Sequence, residues 1–452
     1  MRLILLLSLL APSAFGDVFD GVVNSFGTTR TLIGIHHATT SNSDGAINFW
    51  DPIFEGQPAI DASLSNPHNA GADAYGNIYI ADKASHSILK ITPDGLLHTW
   101  AGTHIAGFNG DGPAPGNTLE IDSPNGLYVL PGGIVYVLDP GNHRIRRVAP
   151  NGAMTTVIND TDPNWAASGR ALWVSQDEQL IYYTHEYPRI PNSATPPGAV
   201  LKKWTPAHGI EVICDLSVGF INPGNLDVNP ADGKLYVTDR ADDDLTRMAE
   251  GLFRIDGTNQ RTRITGDATL PVAADGQFAD ESFIEQPRGL AFLADGSYFI
   301  CGHRDGNVWY VDPAGMLHRY LAGLGKKDAY SLPDDAHPPL VDQPYFAQPR
   351  SVTLAPNGNL LVVSNDSGFL FQVQNIAPSF ASNLTLNLDS TGALLHWNGV
   401  AGRGYRIERA TDLISKNWSP LTAIGATTNR TEFRDAGAHT SPQRYYRVLP
   451  SL

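Results

Sequence analysis

The chain has 452 residues, 42% of them hydrophobic, and its 31 Lys and Arg against 46 Asp and Glu leave a formal net charge of -15. That length permits a large core and two domains, while the acidic excess repels phosphate backbones and sets nucleic-acid binding aside. With only two cysteines, a disulfide framework and a cysteine-based metal site are both excluded.

In chain order, Met1-Arg2 opens an apolar run over residues 3–11 that is too short to span a bilayer. Ala14-Phe15-Gly16 then offers small residues for cleavage before Asp17. Residues 1–16 read as a secretory signal peptide. The mature protein is expected to be secreted, periplasmic or at the cell surface, with no transmembrane segment after cleavage. Residues 28–34 (TTRTLIG) match residues 97–102 (LHTWAG) of the first repeat and read as an outer strand.

Residues 124–152 (PNGLYVLPGGIVYVLDPGNHRIRRVAPNG) set a rhythm that most of the chain repeats. Short β-branched runs separated by Pro, Gly and Asn turns read as an antiparallel meander. Met154 to Ile158 supply a fourth strand. Copies occur at Pro67 with Gly76-Asn77-Ile78-Tyr79-Ile80-Ala81-Asp82, in degenerate form over 169–204, and at Pro223-Gly224, Pro287-Arg288-Gly289 and Pro349-Arg350. Six copies of a four-strand unit predict an all-β, six-bladed β-propeller. The sixth copy stops after three strands, so the strand at 28–34 is expected beside 369–373, closing the ring and removing its free edge. Cys214 and Cys301 fall two blades apart, beyond bridging distance.

Glycine-rich stretches at 106–114 and 274–280 read as inter-blade connections, without the Lys-Ser/Thr of a phosphate loop. In the third copy, His185-Glu186-Tyr187-Pro188 begins a proline-rich insertion that reads as a long loop and a candidate lid. Asp239, Asp242, Asp243 and Asp244 read as a solvated acidic turn. After Pro378 the rhythm changes to half-buried alternation, with Trp397 as the expected core tryptophan. Residues 379–452 carry eight Lys/Arg and five Asp/Glu and read as a small β-sandwich. Five Asn-x-Ser/Thr sequons begin at Asn159, Asn365, Asn383, Asn417 and Asn429.

The Pro-x-Gly openings with the phrases GNIYIAD and GNHRIRRV resemble the NHL-repeat family of six-bladed, TolB-like propellers. The resemblance spans about residues 20–376, within a domain taken as 17–378. GYRIERATDL, NWSPL and YYRV look like the fibronectin-III-like modules that end many secreted bacterial proteins. The NHL fold hosts binding proteins, lyases, lactonases and dehydrogenases, so the resemblance implies a fold and no single activity.

In such a meander the residue after each opening proline lies at the channel mouth, as do the turns between second and third strands. Those positions give the candidate ligand-binding residues His68, Asn125, Arg170, Arg288, Arg350, His303, Arg304 and Asp239. Three arginines around a narrow channel form an anion site; the bland alternative pairs them with turn aspartates. Amidating lyases of this family hold zinc with three histidines that each follow an opening proline, and here only Pro67-His68 matches. Six-bladed lactonases hold calcium in the channel, and here Asp227 and Asp73 are the inner-strand carboxylates. No cofactor is therefore expected, with zinc or calcium as the alternative. The sequence reads as a monomeric binding module for a protein, peptide or extracellular polymer; the alternative is a metal-dependent lyase or lactone hydrolase.

Overall fold

The computed structural model describes residues 26–37, 47–162, 169–187, 198–240, 247–323, 347–375, 382–398, 404–411, 419–425, 430–438 and 444–450. The expected signal peptide, residues 188–197 of the third-copy insertion, and Asp242 to Asp244 lie outside them. Among the described residues, helix is confined to three-residue 3-10 turns, and no helix is long and apolar enough to cross a membrane. The chain divides into a larger unit, Thr28–Gln374, and a smaller one holding the residues from Asn375 onward.

The larger unit is built from antiparallel sheets of four or five strands, six of them among the described residues. Five open with the strands Pro67–Ala72, Gly126–Val129, Leu172–Val174, Asn222–Val228 and Pro287–Phe292, and a sixth with Pro349–Leu354. Each of these opening strands contacts the next, and Pro349–Leu354 contacts Pro67–Ala72, so the six enclose a channel. Phe26–Ile33 pairs with Phe369–Asn375, putting both ends of the unit into one sheet as the sequence predicts. Ile33, Ile78, Ile80 and Leu89 pack there with Leu361, Val363 and Leu370 in one buried cluster. Each such side chain contributes about 1.5–3 kcal/mol on burial, so that seam is held by packing.

The Pro-x-Gly signature has a steric cause. A Cβ on Gly126 would stand 2.2 Å from the Arg170 carbonyl oxygen, and one on Gly289 would stand 2.3 Å from the Val352 amide nitrogen. Neighbouring opening strands approach backbone to backbone at these positions, and only glycine fits. The aspartate at or next to the end of three second strands is also structural. Asp82 accepts from the Ser65 and Asn66 amides, Asp139 from the Asp122 amide, and Asp239 from the Ile221 and Asn222 amides. These bonds tie the incoming connection to its own sheet.

Two sequence readings are corrected, and one sequon is closed. His185, Glu186 and Tyr187 are not loop: they extend the strand Ile181–Tyr187 and pair with Val200, Ala199 and Gly198. The prolines that argue for a loop begin only at Pro188. The connection at 106–114 is not wholly irregular, since Gly112–Pro115 forms a fifth strand on the edge of the second sheet. Its two prolines suit an edge, where a missing N–H breaks no ladder. The sequon at Asn365 is closed to glycosylation, because Asn365 is buried and its amide donates to Asn66 Oδ1 and the Pro67 carbonyl. Cys214 and Cys301 are both buried and free.

The smaller unit holds two three-stranded antiparallel sheets. Leu395 and Trp397 from one, and Tyr405, Ile407 and Tyr446 from the other, share one buried cluster. Trp397 is its largest side chain, as expected.

Candidate functional site

The opening strands deliver their first residues to one end of the channel. In four sheets the register with the second strand slips directly after the proline, at Pro67, Pro223, Pro287 and Pro349. Such a bulge inserts an extra residue and re-aims its side chain. His68, Gly224, Arg288 and Arg350 fall in those slips.

Arg170 and Arg288 converge on one acceptor. Arg170 Nη1 donates to Asn222 Oδ1, and Arg288 Nη1 lies 3.5 Å from the same oxygen. Arg170 Nη1 is also 3.8 Å from Glu186 Oε1, both side chains being largely buried. Arg288 is fully buried, and among the described residues its Nε and Nη2 have no hydrogen-bond partner. Asn125, buried at the equivalent position of the second sheet, has no partner for either atom of its side-chain amide among the described residues.

Two neutral histidines share this end. Arg350 Nη1 is 2.9 Å from His68 Nε2, and His68 Nδ1 is 3.0 Å from the Asn66 carbonyl. A guanidinium only donates, so Nε2 accepts and Nδ1 carries the proton. Burial, then the charges of Arg350, Lys83 and Arg170, hold the His68 imidazole well below its ordinary range. His303 is lowered in the same way by burial, then Arg350 and Arg240, against a smaller opposing pull from the Pro349 carbonyl. That Arg350 and Arg170 act on both rings places His68 and His303 in one cationic cluster.

The remaining predicted residues divide. Arg304 is exposed beside buried His303. The Asp239 carboxylate is engaged by two backbone amides, and burial pushes it up to about 7. Two residues of the site escape sequence reasoning. Asn222 joins two of the arginines, and its signal is the Asn-Pro step that also occurs at Asn66-Pro67. Glu186 has no visible partner in the sequence, because its distance from Arg170 is set by strand pairing and not by sequence spacing.

With Nε2 of His68 held by Arg350, the lone match to the zinc motif faces a cation, which opposes a metal ion there. Among the described residues, no group of three or more His, Cys, Asp or Glu could hold a metal ion. What this end offers is guanidinium N–H donors in a water-poor setting, the chemistry of carboxylate recognition.

An NHL repeat model matches residues 122–148. No curated protein matches the chain. Among solved structures, a protein of unknown function from Bacteroides thetaiotaomicron VPI-5482 is 15% identical over 76% of this chain and 75% of that one, with a TM-score of 0.54. An auxiliary nutrient binding protein from Bacteroides ovatus ATCC 8483 is 14% identical over 77% and 76%, with a TM-score of 0.49. A gluconolactonase from Xanthomonas campestris is 13% identical over 75% and 97%, with a TM-score of 0.44. At such identities the likeness concerns the fold, and the chain carries an NHL repeat on a β-propeller.

Proposed function

We propose that this chain is an exported, six-bladed NHL-type propeller that works as a binding module, with an anionic ligand taken at the channel end where Arg170, Arg288 and Arg350 gather. The observation that carries this reading is Arg288, a fully buried guanidinium with two donor nitrogens unpartnered among the described residues. A buried charge without a partner is costly, and a ligand carboxylate supplies what is missing. The ligand class is a peptide or extracellular polymer bearing carboxylates, with Asn125 and the neutral His303 as further polar contacts. The blade count rests on the six sheets and on the cycle of contacts among their opening strands. A signal peptide at 1–16, a propeller at 17–378 and a fibronectin-III-like sandwich at 379–452 complete the reading. The cluster shared by the two C-terminal sheets supports the sandwich.

Isothermal titration with triglutamate and with oligogalacturonate tests the site. Binding of either, weakened at least about tenfold by Arg288→Gln and by Arg170→Gln, agrees with the loss of a charge-assisted contact. Heat from neither probe, or binding indifferent to both substitutions, would refute it.

A further inference from the structure

The opposite end of the same channel carries a different chemistry. There the opening strands enclose a cavity of about 270 Å³, with walls that include Leu127, Leu172, Leu226, Leu290, Phe292 and Leu354. The fifth residues of five of these strands, counted from the opening proline, line it: Gly71, Tyr128, Asp227, Ala291 and Thr353. Three of the five are small, which leaves the space that Asp227 and Tyr128 face.

Among the described residues, Asp227 is the only carboxylate in that lining, and no Lys, Arg or His lines it. Its Oδ1 accepts from the Val228 amide at 2.9 Å and its Oδ2 from the Phe292 amide at 3.1 Å. Its own strand thus brings one backbone N–H, the neighbouring strand Pro287–Phe292 a second, and Gly126–Val129 the Tyr128 phenol as the one other titratable group of that lining among the described residues. Burial pushes Asp227 up to about 6, the two amides opposing, with no cation acting on it. Its charge in turn helps burial raise Tyr128. At neutral pH this is an ionised carboxylate in a cavity of leucine and phenylalanine walls with Asn69, Gln176, Asn225 and Thr353 as its other polar lining, and without a countercharge among the described residues.

We propose that this cavity is a second binding site, for an organic monocation: an ammonium group on Asp227, with its hydrocarbon body against the leucine walls. Each feature selects for that class. A carboxylate supplies the ion-pair partner, and each of its oxygens keeps acceptor capacity beyond the backbone bond it already makes. Tyr128 and Phe292 stand in the same lining, and aromatic rings attract ammonium. The leucine and phenylalanine walls gain from an apolar body, which a hydrated inorganic ion lacks. A divalent cation would need several oxygen ligands. The nearby Asn225 amide is already engaged, its Oδ1 with the Leu226 amide and its Nδ2 with the Leu290 carbonyl. From Arg288 to Phe292 the strand rises about 13 Å at roughly 3.3 Å per residue, so this site and the arginine cluster are separate and do not depend on each other.

Benzylammonium is the probe, titrated by calorimetry into the full chain at pH 7.5 and pH 5.0. Binding at pH 7.5 is expected, weakened about tenfold at pH 5.0, because only about a tenth of a carboxylate titrating near 6 is then ionised. Asp227→Asn should weaken it at least about tenfold at pH 7.5 and abolish the pH dependence. Benzyl alcohol, of the same shape without the charge, should bind at least tenfold more weakly. A measurement free of any variant supports these: the Asp227 carboxyl carbon, followed by NMR, should titrate lower when benzylammonium is present. No binding of benzylammonium overturns the proposal. So does equal binding of the alcohol, which would make the cavity merely apolar, or calcium binding that Asp227→Asn removes while benzylammonium has no effect. An Asp227 titration unmoved by the probe also overturns it, even if the variant fails to fold.

Discussion

Replacing Arg288 with methionine should make the ligand-free protein more stable while removing its anion response. The guanidinium is fully buried, and among the described residues no carboxylate pairs with it; its side chain has a single 3.5 Å approach to the neutral oxygen of Asn222. That distance lies at the weak end of hydrogen bonding, so its loss costs about 1 kcal/mol at most. The desolvation penalty of a buried ion is several kcal/mol even after relaxation. Methionine keeps an unbranched apolar body of similar length, and Asn222 keeps Arg170 as a donor. The balance favours Arg288→Met by about 1–3 kcal/mol. Unfolding entropy of roughly 2.1 cal/mol/K per residue, applied to the unit Thr28–Gln374, converts each kcal/mol into about 1.4 °C. Scanning calorimetry in a buffer poor in small carboxylates should therefore show Tm rising by about 1.5–4 °C. Adding triglutamate should raise Tm of the wild type and leave the variant unmoved. A fall of Tm in the variant without ligand would refute the reasoning, since it would mean that the guanidinium gains more from the fold than its burial costs.

The remaining predictions concern the scaffold. Gly289→Ala puts a Cβ 2.3 Å from the Val352 amide, a backbone atom that cannot swing aside; a loss of about 2–4 kcal/mol is expected in urea unfolding. Asp239 titrates near 7 in the folded chain, above its unfolded value, so its contribution is present at low pH and is lost as pH rises from about 4 to 7. Asp239→Asn lacks this titration, and its stability relative to wild type should improve by about 1–2 kcal/mol between pH 5.5 and pH 8; a difference independent of pH would count against the buried charge. His303 is lowered by burial and three arginines. Its contribution is present above about 6.5 and is lost as pH falls below that, so His303→Gln should flatten the acid limb of a Tm-against-pH curve.

Much of the propeller is legible in the sequence because its signals are local and repeated. Pro-x-Gly marks where opening strands meet, and the aspartate at the end of GNIYIAD marks a clamp on the preceding connection. Both are consequences of backbone geometry, and so they recur with the repeat. Pairing of the first strand with residues 369–375 is implied by the count of runs in the last copy. The strand at Gly112–Pro115 is not legible, because Gly and Pro carry no β signal and its place depends on an edge that another segment exposes. His185 to Tyr187 mislead because the prolines that begin at Pro188 speak for a loop, while the strand partners that hold these three residues lie across the insertion.

The site is legible only by position. Placing His68, Arg170, Arg288 and Arg350 at one end needs the meander alone, since every opening strand runs the same way around the channel. Which of them lacks a partner is not in the sequence: Arg350 meets His68, Arg170 meets Glu186, and Arg288 meets neither. Those differences arise from contacts between sheets, at separations no local pattern encodes. The same holds for Asp227. In sequence it is one of two inner-strand carboxylates, with Asp73, and nothing there sets it apart as lacking a countercharge. It becomes distinctive because Gly71, Ala291 and Thr353, from three other sheets, stand at its level and are too small to fill the channel. A ring that brings equivalent positions of unequal repeats to one height turns sequence drift between the copies into an asymmetric lining. Here that lining is basic at one end, with a single carboxylate at the other.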